Sequence, residues 1–166
     1  MYSIGDKIVY PMHGAGVIDS IEEKEILGVK QNYYVLKIAV GDMKVMVPIN
    51  NIENVGIRGL IDNTKVEEVL LKLKEPVEEV KETNWNKRYR ENMNKLKTGD
   101  IFQVAEVVRA LMVRERDKGL STGEKKMLSN AKRILISEIV LSKGMTQENV
   151  EDIMSDYIYN NKAKAQ

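Results

Sequence analysis

The sequence predicts an α+β protein: a small β-barrel over residues 1–60, followed by an all-α bundle of about five helices over residues 61–166. Three observations carry this. Residues 1–57 alternate short β-rich runs with glycine and proline turns. From Thr64 onward the apolar period becomes that of helices, with a capping signal before each one. The later helical stretches are joined by only a few residues, which implies antiparallel packing into one bundle.

In the β half, Ile8-Val9-Tyr10 is a short run cut by Pro11, and His13-Gly14-Ala15-Gly16 reads as a turn. Val17 to Ile26 is a long strand ending at Leu27-Gly28. Tyr33 to Val40 is apolar apart from Lys37, and Gly41-Asp42 is a two-residue hairpin signal before the strand Met43 to Pro48. In that strand Met43, Val45 and Val47 share one face, which leaves Lys44 and an exposed Met46 on the other. Gly14-x-Gly16 is not a nucleotide loop, because a strand follows it and the third glycine is missing. Tyr10, Tyr33 and Tyr34 could form a cation cage, but tyrosine in a strand more often packs.

In the helical half, Thr64-x-x-Glu67 forms a capping box opening a helix with Val66, Val69, Leu70 and Leu73 on one face, closed by Pro76. Residues 75–82 are acidic and poor in bulky apolar groups, as a connector would be. Asn84 caps a helix from Trp85 to Lys97, with Gly99 just beyond its end. Asp100, Ser121 and Thr146 cap three more. Their apolar stripes run from Ile101 to Met112, from Met127 to Ile139 and from Val150 to Ile158. The polar tail from Asn160 is expected to fray.

Composition removes several function classes. The chain has no cysteine and a single histidine, His13, so disulfides, thiolate chemistry and histidine-based metal or triad sites are not expected. No nucleophile with a base, supported carboxylate dyad or phosphate loop is visible, so neither an enzyme nor a cofactor is expected. Neither a membrane span nor a signal peptide is apparent, which predicts a cytoplasmic protein.

The net charge is only +1, yet residues 85–133 carry thirteen Lys and Arg against six Asp and Glu, whereas every other segment is slightly acidic. That basic segment opens at the only tryptophan, in Asn84-Trp85-Asn86-Lys87-Arg88-Tyr89-Arg90. A large flat apolar ring beside Lys87, Arg88 and Arg90 suits a nucleic-acid duplex. Lys125 and Lys126 lie in the first turn of another helix, where free amides add to the attraction for phosphate. Spacing leaves a second reading open: Trp85, Tyr89, Met93 and Leu96 share one helix face, so the ring could belong to the core.

Several of these residues together resemble the CarD/CdnL family of bacterial transcription regulators. They are Gly5-Asp6-x-x-Val9-Tyr10-Pro11-x-His13-Gly14, Val47-Pro48, Asn84-Trp85-x-x-Arg88-Tyr89 and Gly99-Asp100. Val104 to Arg109 and Gly119-Leu120-Ser121-x-Gly123-Glu124-Lys125-x-Met127-Leu128 complete the set. The match runs from Gly5 to about Ile139, in order. The resemblance implies a Tudor-like N-terminal domain that binds the RNA polymerase β subunit, through a surface including Lys24, Lys44, Met46 and Pro48. It also implies a helical domain that touches promoter DNA near the upstream edge of the melted region, with Trp85 as a minor-groove wedge. Lys87, Arg88, Arg90, Lys125 and Lys126 become expected DNA contacts, and the protein would associate with the nucleoid through polymerase. The better-known members carry arginines where this chain has Lys24 and Met46. A monomer is expected, with strand exchange between copies as the alternative. The rival function is an adaptor whose helical half docks another protein through Trp85. A further rival is a small-barrel module for RNA binding or repair coupling.

Overall fold

The computed structural model describes residues 1–77 and 84–160. The N-terminal half is an antiparallel sheet in the order β4-β3-β2-β1-β5. It is built from β1 (Lys7–Tyr10), β2 (Gly14–Ile26), β3 (Val29–Ile38), β4 (Lys44–Pro48) and β5 (Arg58–Gly59). Its inner face buries Ile8, Ile18, Tyr34, Leu36, Ile38 and Val47. A 3-10 turn at Ile49–Asn51 and a one-turn helix α1 (Ile52–Val55) bring Ile49, Ile52 and Val55 against that core. Tyr34, buried on the inner face, exchanges hydrogen bonds with the Tyr2 backbone, whereas Tyr33 lies on the opposite face. The tyrosines therefore pack and form no cage.

The turns differ from expectation in instructive ways. Gly14 to Gly16 are not a turn but the start of β2; the turn is Pro11 to His13. Glycine is required at position 16 for close approach, since a Cβ there would sit 2.3 Å from the Lys37 carbonyl oxygen. Leu27-Gly28 is a two-residue hairpin loop with φ of 53° and 79°, as a type I′ turn needs. Gly41-Asp42, by contrast, belong to a longer loop closed by the Ile38 amide donating to the Met43 carbonyl. The extra length lets Val40 leave the sheet and join the helical core. Met46 is half-buried rather than exposed.

Among the described residues five helices follow: α2 (Asn63–Lys72), α3 (Trp85–Lys97), α4 (Ile101–Asp117), α5 (Thr122–Lys143) and α6 (Gln147–Tyr159). Caps at Asn84, Asp100, Ser121 and Thr146 are as expected, and Gly99 and Gly144 take the left-handed conformation that ends a helix. For α2 the cap is Asp62, whose side chain accepts from the Lys65 amide, so Thr64 lies inside the first turn. The helix also stops at Lys72, before Pro76. Most of the expected acidic connector, from residue 78, and the tail beyond Asn160 lie outside the described residues. The helical core joins Val66, Leu73, Leu96, Val104, Leu111, Leu135 and Met154.

Helix α5 also holds the sheet. Ser137 Oγ accepts from the Ala15 amide at 2.8 Å, and Arg133 Nε donates to the His13 carbonyl. Glu138 accepts two bonds from the Arg58 guanidinium, at 2.7 and 2.8 Å, and one from the Ile61 amide at 2.9 Å. A carboxylate with no solvent exposure is thereby matched by a cation and a backbone donor.

Candidate nucleic-acid interface

Trp85 is the first residue of α3, and the Asn84 side chain caps that helix by accepting from the Asn86 amide. The apolar stripe along α3 grades outward: Leu96 is buried, Met93 and Tyr89 are half-covered, and Trp85 is 44% exposed. Position in the first turn explains the gradient, because the ring projects beyond the packed face. The core reading of Trp85 is thus excluded for this structure.

The ring is nevertheless held. It stacks on Tyr89 with centroids 5.4 Å apart and an interplanar angle of 24°. Its Nε1 donates to Ser121 Oγ at 2.7 Å. The chain passes close by at Gly123, where an added Cβ would stand 3.6 Å from Trp85 Cζ2 and from Tyr89 Cε2. Ser121 caps α5 in a full capping box with Glu124. The N-termini of α3 and α5 therefore meet, and their positive dipole ends lie side by side.

Arg88 welds that junction. Its Nε and Nη2 donate to Glu124 Oε2 and Oε1 at 2.7 and 3.0 Å. The Glu124 and Arg88 side chains are 1% and 16% exposed. The Arg88 bond holds the Glu124 carboxyl below the ordinary glutamate value despite burial, and Glu124 in turn raises Arg88. Arg88 is therefore turned inward onto α5. Lys87, Arg90, Lys125 and Lys126 are exposed on the first turns of the same two helices, and among the described residues the ion pair touching this set is the wide Lys87–Glu91 approach, at 4.0 Å. The sequence pointed to Trp85 and the cations but not to Glu124, Tyr89 or Gly123 as its support. The capping box was the available signal, since its Glu lies one helical turn from Ser121.

The second group of expected residues is spread along one face of the sheet, with Lys24 and Lys44 at opposite ends of β3. Strand pairing sets Lys24 opposite Gln31, Pro48 opposite Tyr33, Met46 opposite Val35 and Lys44 opposite Lys37. Directly paired residues point to the same face, so Lys24, Lys44, Met46 and Pro48 share the outer face, opposite the inner core. Lys44 also meets Asp19 at 3.3 Å. Among the described residues no group of acidic or histidine side chains could hold a metal, and no helix is long and apolar enough to cross a membrane.

The family comparisons give the class: a transcription regulator acting with RNA polymerase. The match of residues 2–61 to the CarD-like/TRCF RID domain and of residues 68–155 to the CarD C-terminal domain makes that class explicit. The chain is 44% identical over 151 residues to the Bacillus subtilis (strain 168) protein designated "Putative transcription factor YdeB", covering 91% of this chain and 98% of that one. It belongs to the CarD/CdnL family of bacterial transcription regulators, which is not a family of enzymes.

Proposed function

We propose that this regulator binds the polymerase β subunit through the outer sheet face of Lys24, Lys44, Met46 and Pro48, and stabilises the promoter open complex by inserting Trp85 into the minor groove at the upstream edge of the bubble. Residues 1–60 would serve the first task and residues 61–166 the second, in the cytoplasm at the nucleoid. The observation that carries the reading is the exposed indole at the meeting point of two helix N-termini.

A wedge costs a few kcal/mol of unstacking on closed DNA, so it favours DNA already distorted and opposes collapse of the bubble. Lys87, Arg90, Lys125 and Lys126 supply phosphate contacts, which add affinity without reading sequence. Arg88 acts indirectly, by fixing α3 against α5. Four exposed cations give weak binding to free DNA, and tethering to polymerase supplies the effective concentration.

The test is open-complex lifetime with full-length Trp85→Ala, at protein concentrations where polymerase binding is saturated. A lifetime unchanged from the wild type would remove the wedge. The aromatic pair of exposed Trp85 and half-covered Tyr89 also suits a protein partner, the adaptor reading. Footprinting upstream of the melted region, repeated at rising salt, separates the two, because a protein-docking surface leaves that DNA unprotected at every salt concentration.

A further inference from the structure

Ser121 Oγ makes three hydrogen bonds. It donates to Glu124 Oε1 at 3.1 Å, and it accepts from the Glu124 amide at 3.2 Å and from Trp85 Nε1 at 2.7 Å. A serine hydroxyl has one proton and two lone pairs, so its capacity is filled. The Glu124 carboxylate accepts the hydrogen bond from that O–H, and this fixes which way the lone pairs face. Glu124 is itself fixed by Arg88 from α3, the helix that carries the tryptophan. The orientation of the indole is thus set by a closed circuit through Arg88, Glu124 and Ser121.

We infer that Ser121 is the positioning residue of the wedge: it holds the ring at a fixed angle and occupies its only polar atom, so that Trp85 meets DNA as apolar surface alone. This rests on the wedge reading above and extends it to sequence preference. The minor-groove floor offers N3 of adenine and O2 of thymine as acceptors. An indole with a free N–H could donate to them and so prefer particular base steps. With the N–H occupied by Ser121, insertion depends on how easily a step unstacks, a property of shape and deformability. Ser121 thereby keeps the wedge indifferent to base identity.

Trp85 is the sole tryptophan, so its fluorescence in the free, full-length protein reports on this ring alone. Ser121→Gly removes the hydroxyl while keeping a residue that is tolerated at a helix N-cap. Ser121→Thr keeps the hydroxyl. For Ser121→Gly the time-resolved anisotropy gains a larger fast component, while Ser121→Thr resembles the wild type. Open-complex lifetime on a promoter panel differing at the insertion step falls by roughly two- to tenfold on average for Ser121→Gly, the range a lost hydrogen bond spans. The spread between steps widens.

Wild-type anisotropy in Ser121→Gly, or equal loosening in Ser121→Thr, overturns the positioning role. A spread identical to the wild type overturns the shielding of the donor. Trp85→Ala without effect on lifetime refutes the wedge instead, and the anisotropy arms, which need no DNA, still judge the role of Ser121.

Discussion

Replacing Glu138 by alanine is expected to destabilise the protein by about 3–4 kcal/mol and to loosen the sheet from the bundle. The magnitude follows from what the carboxylate does. It accepts two bonds from Arg58 and one from the Ile61 amide while fully buried. Removing one partner of a buried, hydrogen-bonded pair costs about 3–5 kcal/mol, because the other charge is left uncompensated. Arg58 is 31% exposed and can recover some water, which lowers the figure. The Ile61 N–H has less recourse and adds roughly 1–3 kcal/mol if it stays unpaired. For a chain of this size about 2–4 °C of melting temperature corresponds to each kcal/mol, so a fall of roughly 6–15 °C is expected. Thermal unfolding followed both by circular dichroism and by Trp85 fluorescence reads it. Glu138→Gln should lose about half as much, since the amide oxygen still accepts from Ile61. A cycle with Arg58→Ala should show coupling above about 1 kcal/mol. A melting temperature within about 2 °C of wild type, or additive single variants, would refute the argument that this ion pair braces the two halves.

Three further outcomes are expected. Glu124, lowered by its bond from Arg88, and Glu106, where Lys72 and Lys95 outweigh the upward push of burial, both have folded-state values below the ordinary 4.5. Their stabilisation is complete above that value and is lost as the pH falls through the lowered ones, so acid titration should release the Trp85 fluorescence along with stability; insensitivity down to the lowered range would contradict the pairings. Lys125→Ala with Lys126→Ala should reduce the salt slope of DNA protection within the polymerase complex by roughly one per lost phosphate contact, equally across sequences. Gly16→Ala should cost about 3 kcal/mol or more, because the new Cβ meets the Lys37 carbonyl oxygen at 2.3 Å and the strand must shift; a stability change below about 1 kcal/mol in urea unfolding would sink that account.

Much of this architecture was legible in the sequence because local rules govern it. Side-chain caps at Asn84, Asp100, Ser121 and Thr146, and the glycines after α3 and α5, depend on a few adjacent residues and need no tertiary information. What escaped the sequence is set by distant partners. Gly16 looks like turn chemistry until Lys37 is seen across the ladder, and Val40 looks like a strand residue until the helical core claims it. Arg88 illustrates the same limit at the candidate interface. By composition it belongs with Lys87 and Arg90, and only the position of Glu124, 36 residues away, turns it inward. A run of cations states that charge is present, whereas the fold decides which charges face outward.

The placement of α5 ties these points together. Its N-cap, Ser121, holds the tryptophan, and Ser137 and Glu138 hold the sheet. Glu138 lies 17 positions beyond Ser121 along continuous helix, a span of about 25 Å at 1.5 Å per residue. A wedge delivered by tethering gains only if its position relative to the tether is narrowly distributed, since effective concentration falls as the linkage loosens. A continuous helix anchored at both ends is stiff, so the expected acidic connector of residues 75–82 need not orient the tryptophan. The proposal therefore requires an asymmetry between two classes of variant. Loosening the Glu138 brace should shorten open-complex lifetime while polymerase affinity persists, whereas lengthening the connector by a few residues should change neither. If the connector variant lost the effect and the brace variant kept it, orientation would come from the connector and the role assigned to α5 would fail.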